Sequence, residues 1–203
     1  TMKAVLMNNI NEVITAWRDT DPVTWAQSQY GWITPEGQPI TLTAWQSAVV
    51  AAWWGHRSTV TTLAISNVKK TGKTLLNSVL LAWRWLALPG VHFAVGNDLD
   101  QSTARQYAEI VDMIRRNSFL APLVKVTGKV LTFEPTGSQL VALAQDAAGN
   151  AGANHLTASH TEAWGVLSEG AMRAYEELTP PPGLSWGLPA LRILDSYAGY
   201  EGE

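Results

Sequence analysis

The sequence predicts an α/β domain, a mostly parallel sheet with helices on both faces. Two observations carry this. From residue 60 onward, short runs rich in β-branched residues alternate with segments of helical periodicity, the pattern of parallel strands joined by crossover helices. The 203 residues are also 46% hydrophobic and 15% charged, enough apolar material to bury one core. With no cysteine, a disulfide scaffold, a thiolate zinc site and a cysteine nucleophile are excluded. The formal net charge of -3 gives no global basic signature, so any nucleic-acid contact is expected from a local patch or from a region outside this sequence. No run approaches the roughly 18 apolar residues of a membrane span, so no membrane partner is expected.

Taken in order, residues 5–18 form a helix on the spacing of Val5, Leu6, Ile10, Val13, Ile14 and Trp17. A segment rich in turn residues follows, from Asp21-Pro22 to Pro39, carrying Trp25, Tyr30 and Trp32. Residues 1–42 read as an N-terminal arm, too short for a core of its own, and 43–203 as the main domain. Thr43 caps a helix containing Trp45, Val49, Val50, Trp53 and Trp54, which stops near Gly55. Residues 60–66 form a strand, 73–88 a helix ended by Pro89-Gly90, and 91–96 a second strand. Residues 100–117 form an amphipathic helix with Ala104, Tyr107, Ala108, Val111 and Ile114 along one side. Residues 123–127 and 130–134 make a hairpin about Gly128-Lys129. Then come a strand at 139–144, a small-residue loop at 147–153, a weaker strand at 155–160, a helix at 168–178, a loop at 179–189 and a last strand at 191–195.

Between the first strand and its helix stands Ser66-Asn67-Val68-Lys69-Lys70-Thr71-Gly72-Lys73-Thr74. A loop in that position wraps backbone N–H groups around phosphate oxygens at the positive end of a helix. Gly72 permits close backbone approach, the Lys73 ammonium reaches the β and γ phosphates, and the Thr74 hydroxyl ligates Mg²⁺. The G-x-x-x-x-G-K-[ST] pattern is incomplete, because Asn67 occupies the first glycine position. Asn tolerates left-handed backbone angles better than most residues. The alternative is an ordinary basic loop between strand and helix.

Such a site also needs an acidic partner, usually Asp-Glu at the end of an apolar strand. The candidate is Thr161-Glu162, with Glu162 to polarise water and Thr161 standing where the metal-side Asp would be. The alternative reading makes Glu162 a loop cap. His56, His92, His155 and His160 lack metal-ligand spacing and are read as structural. There is no G-x-S-x-G elbow to support a serine hydrolase.

In order and spacing these segments resemble the ATPase domain of the large terminase subunit of tailed bacteriophages. Leu42-Thr43-Ala44-Trp45-Gln46 resembles its adenine-side motif, and Lys69-Lys70-Thr71-Gly72-Lys73-Thr74 its deviant phosphate loop, which often carries Arg where Lys69 lies. Asn97 to Gln101 followed by Ala104 resembles the segment after the second strand. Thr161-Glu162-Ala163-Trp164 resembles the acidic motif, and Asp195-Ser196-Tyr197-Ala198-Gly199-Tyr200 the coupling motif.

The resemblance implies a RecA-like ASCE P-loop ATPase with ATP and Mg²⁺ as cofactors. Trp45, Gln46, Lys70, Thr71, Gly72, Lys73 and Thr74 would bind nucleotide, and Thr74 and Thr161 would hold the metal. Glu162, Lys73 and Lys69 would be catalytic, and Ser196, Ala198 and Gly199 would couple hydrolysis to movement. Arg84, Arg105, Arg115 and Arg116 are read as solvated helix faces or as an arginine finger acting in trans. The implied partners are double-stranded DNA, a portal protein and a small terminase subunit. Also implied are a homo-oligomeric ring on assembly, a monomer for the isolated fragment, and a viral protein located in the host cell cytoplasm and transiently on the procapsid. The resemblance further implies a lid and a nuclease domain beyond residue 203. The competing readings are a superfamily 2 helicase core and a non-catalytic nucleotide-binding assembly module.

Overall fold

The computed structural model describes residues 2–96, 103–144, 154–161, 172 and 175–196. Helix α1 (Met2–Asp19) buries Ile10, Ile14 and Trp17, whose i, i+4, i+7 spacing makes one apolar stripe. The turn-rich segment after it holds a helix that its turn residues concealed, α2 (Pro22–Ala26). Asp21-Pro22 reads as a turn, yet the same pair starts a helix. The Asp21 carboxylate accepts the N–H groups of Val23 and Thr24, and Pro22 occupies the first turn, where no N–H is needed. Trp25 and Ala26 are thereby buried. Gly31 packs so tightly behind them that a Cβ there would lie 2.0 Å from the Trp25 carbonyl oxygen.

From Ile10 to Leu42 the N-terminal segment shares the hydrophobic cluster of the main domain. Arg18 Nε donates to the Ala87 carbonyl at 3.0 Å, and Trp83 Nε1 donates to the Trp17 carbonyl at 3.0 Å. Helix α3 (Ala44–Gly55) starts at Thr43 with a capping box closed by Gln46.

Seven strands form the main sheet: β1 (Thr62–Ser66), β2 (Val91–Gly96), β3 (Val124–Thr127), β4 (Val130–Phe133), β5 (Ser138–Ala144), β6 (Thr157–His160) and β9 (Leu191–Ser196). Their order is β1-β9-β6-β2-β5-β4-β3. The first five are parallel, and the β3–β4 hairpin extends the sheet in antiparallel fashion. The segment 179–189, expected to be loop, contains a small ribbon, β7 (Leu184–Ser185) with β8 (Leu188–Pro189). Each arm is two residues, too short for an alternation pattern to register.

Helix α4 (Lys73–Ala87) runs from the loop after β1 down one face of the sheet, under α1 and α2. It is buried from Leu76 onward, because it is covered on both sides. Trp83 packs edge-on against Trp53 and Trp54, with centroids 6.1 and 5.5 Å away. Arg84, also buried, threads beneath the sheet: Nε donates to Thr157 Oγ1 at 2.7 Å, and Nη2 donates to the carbonyls of Leu156 and Pro189. A guanidinium with only neutral acceptors has its pKa pushed down to about 9 by burial. Arg84 is therefore neither a solvated face nor an available finger.

On the same face lies α5 (Ala108–Arg116), entered through a π-helical turn at Thr103–Tyr107. Residues 100–102 of the helix expected from 100 lie outside the described residues. The opposite face carries Phe93, Val95, Ala158 and Leu178, with Arg192 stacked 3.8 Å from the Tyr175 ring centroid. Of the helix expected over 168–178, residues 172 and 175–178 are described: 172 and 175–177 are helical, and 178 is a turn.

Candidate nucleotide-binding site

The loop between β1 and α4 turns at Lys70, with φ of 65°, and again at Gly72, with φ of 84°. Asn67, in the place of the first glycine, caps its own loop: its Oδ1 accepts the Val68 N–H at 2.8 Å. Thr71 Oγ1 donates to the Val68 carbonyl at 2.9 Å. The Lys73 side chain folds into the loop, and its ammonium donates to the carbonyls of Asn67 and Val68, each at 2.7 Å. Lys73 is 8% exposed. A cation thus sits at the centre of a loop opening on a helix N-terminus, the arrangement that suits a polyphosphate. Lys69 and Lys70 are exposed at the rim, and Thr74 is half-buried on the first turn of α4.

Gln46 locks this loop to α3. Its Oε1 accepts from both the N–H and the hydroxyl of Thr43, each at 2.9 Å, and its Nε2 donates to the Gly72 carbonyl at 3.0 Å. With 3% exposure, Gln46 spends its amide inside the protein as a positioning residue for the loop. Neighbouring Trp45 is half-buried against the main core.

The strand order brings the other candidates to this end of the sheet. Ser196 is in register with Ser66, so the expected coupling segment begins beside the phosphate loop. Thr161 directly follows β6, with its N–H bonded to the Val95 carbonyl at 3.1 Å and its residue buried. Glu162, Ala198 and Gly199 lie outside the described residues, as do Asn97 to Gln101 and Ala163-Trp164. Among the described residues no three His, Cys, Asp or Glu side chains converge on a metal position.

Several residues that no motif singled out occupy the same end. Ser78 Oγ donates to the Thr74 carbonyl at 2.8 Å and is 2.9 Å from Glu109 Oε2, joining α4 to α5. Burial and the nearby Asp195 raise the Glu109 pKa, while the Ser78 hydrogen bond lowers it, and the net shift is upward. Gln106 Nε2 donates to Ser159 Oγ at 2.8 Å. Asn77, one turn after Lys73, is fully buried, and neither its Oδ1 nor its Nδ2 has a partner among the described residues. Carboxylate, amide and hydroxyl oxygens beside a phosphate loop form a hard donor set that fits Mg²⁺.

A cleft of about 580 Å³ opens at the other end of the sheet, lined by Ser58, Thr61, Thr62, Pro181, Leu184 and Arg192. Open α/β sheets bind ligands at the carboxyl ends of their strands, which favours the loop over this cleft.

This architecture is similar to that of the large terminase of bacteriophage HK97, with a TM-score of 0.72 and 19% sequence identity over 87% of this chain and 37% of that one. The fold is that of a large-terminase ATPase domain. A mutant of the large terminase ATPase domain of Thermus phage P74-26 aligns with a TM-score of 0.52 and 17% identity, over 82% of this chain and 70% of that one. The chain therefore spans little more than a third of the HK97 terminase. No protein-family model and no curated protein sequence matches it. Within this terminase fold, no described helix is long and apolar enough to cross a membrane.

Proposed function

We propose that this chain is the ATP-hydrolysing motor domain of a viral large terminase subunit, which drives double-stranded DNA into procapsids. The observation that carries the proposal is the Lys73 ammonium gathered at the centre of the β1–α4 loop, in a terminase fold. On binding ATP, Lys73 exchanges the carbonyls of Asn67 and Val68 for phosphate oxygens, and the N–H groups of the loop cradle the rest. Lys69 and Lys70 add positive charge at the rim, and Trp45 flanks the adenine. Thr74 would hold Mg²⁺, which would supply charge neutralisation at the transferring phosphoryl group. Thr161 would hold a water of the metal, and Glu162 would position the attacking water. Ser196, at the end of the strand next to the loop, relays loss of the γ-phosphate together with Ala198 and Gly199.

In the assembled motor the partners are DNA, a portal protein, a small terminase subunit and further copies of this chain in a ring, assembled in the host cell cytoplasm. Neighbouring subunits complete the site, so the isolated chain hydrolyses ATP slowly and its rate rises with protein concentration. Steady-state turnover tests the reading. Lys73→Ala abolishes it, and Glu162→Gln lowers it by about a hundred-fold or more. Undiminished turnover in Glu162→Gln removes the assignment of that residue. ATP binding without turnover in the wild type favours an assembly module instead, the reading suggested by a hydroxyl at Thr161.

A further inference from the structure

The β6–β9 register bears on the carboxylate missing at Thr161. His160 pairs with Leu194, so one step further along these parallel strands Thr161 stands beside Asp195, roughly 4.8 Å away in backbone terms. Side-chain alternation places both on one face. It is the face of Ser159 and Thr157, which receive Gln106 and Arg84 from the helices above. Asp195 is 2% exposed and is also in register with Ile65, the residue before Ser66. It therefore lies between Thr161 and the strand that delivers the phosphate loop.

A second carboxylate, that of Glu109, reaches the same place. It is hydrogen-bonded through Ser78 to the first turn of α4 and lies close enough to Asp195 to feel its charge. A buried acid and a half-buried one beside it repel unless a cation or a proton comes between them.

The independent pointer to a ligand is Asn77. It is 0% exposed and both polar atoms of its amide lack a partner among the described residues. It precedes Arg84 by two helical turns, on the same stripe of α4, so it faces β6 about 10 Å above Thr157, at the level of Thr161 and Asp195. Gln106 Oε1, on a residue 1% exposed, also lacks a partner.

We propose that Asp195 supplies the divalent-cation carboxylate that Thr161 does not, with Glu109 as second acid and Asn77 as neutral oxygen donor. The ion is the one that accompanies ATP, so the inference rests on the function proposed above. Mg²⁺ typically takes one or two carboxylates plus phosphate and water, which this set provides without a third acid.

The test measures ATP affinity of the full chain in EDTA and in Mg²⁺, and Mn²⁺ affinity of its ADP complex by electron paramagnetic resonance. Relative to wild type, Asp195→Asn binds ATP as tightly or more tightly in EDTA, because it loses a charge facing the phosphates. Its complex binds Mn²⁺ about ten-fold more weakly. Glu109→Gln, at a half-buried residue on a helix outside the sheet, changes both in the same directions. Thr161→Asp added to Asp195→Asn restores Mn²⁺ affinity by returning the acid to the neighbouring strand. Mn²⁺ affinity within two-fold of wild type in Glu109→Gln and in a folded Asp195→Asn overturns the assignment while leaving ATP binding intact. Failure of the wild type to bind ATP at all overturns the proposed function and this inference together.

Discussion

Gly72 meets two demands at once. Its φ of 84° lies in the left-handed region, and a Cβ there would come within 2.9 Å of Gln46 Nε2. Gly72→Ala therefore strains the backbone by about 1–2 kcal/mol and pushes on the amide that ties the loop to α3. The expected result is a lower urea midpoint together with weaker ATP binding; an unchanged ATP affinity would separate the loop shape from the binding. The residues of this loop could be read directly from the sequence, because phosphate chemistry needs them contiguous: glycine, lysine and hydroxyl follow one another at Gly72, Lys73 and Thr74. Asp195 stood in a segment already singled out, yet nothing local marks it as a neighbour of Thr161. That adjacency exists only once β9 is known to lie beside β6. The two demands on Gln46 were hidden for a similar reason, since an amide that closes a helix cap looks the same whether or not it also holds Gly72.

At the scale of elements, the strands of the parallel sheet could be placed to within about two residues, since a β-branched run between a turn and a helix has few other uses. What failed was punctuation that carries two meanings. Asp21-Pro22 marks a turn in most contexts and here begins α2. Arg84 shows the opposite failure, a charge on a helix that sequence reasoning places in water. Its neighbours Trp83 and Trp85 are buried with it, because α4 has no solvent face for most of its length. The tryptophans of α3 and α4 hold these helices together, and Trp83 is central among them, fully buried and bonded to the Trp17 carbonyl. Trp83→Ala should cost about 3–5 kcal/mol, measured by urea denaturation. Trp83→Phe should cost distinctly less, because it keeps the ring contacts and loses the hydrogen bond. Equal losses would mean that the bond to Trp17, and not the indole volume, anchors α1.

For the whole molecule, acid sensitivity is built into the interior. His92 is held between Thr157 Oγ1 and the Leu88 carbonyl, and His160 packs on Tyr175 with no hydrogen-bond partner for either ring nitrogen among the described residues. Burial, chiefly, lowers each pKa to about 3. The native state refuses protons that the unfolded chain accepts below its ordinary value of about 6.5. The stability associated with neutral histidine is thus present above that value and lost as pH falls towards 3. At pH 5 each ring costs about 2 kcal/mol. The urea midpoint should drop between pH 7.5 and pH 5, and His160→Phe, which retains the packing on Tyr175, should remove a share of that drop. A pH-independent midpoint would contradict the burial of both rings. The strand order has one more consequence, for the order of events during synthesis. Among the described residues β1 pairs with β9 alone, so the first strand of the sheet to leave the ribosome waits for the last. Such a long-range pairing forms late, and the nascent chain gains a fixed phosphate loop only once β9 has been made.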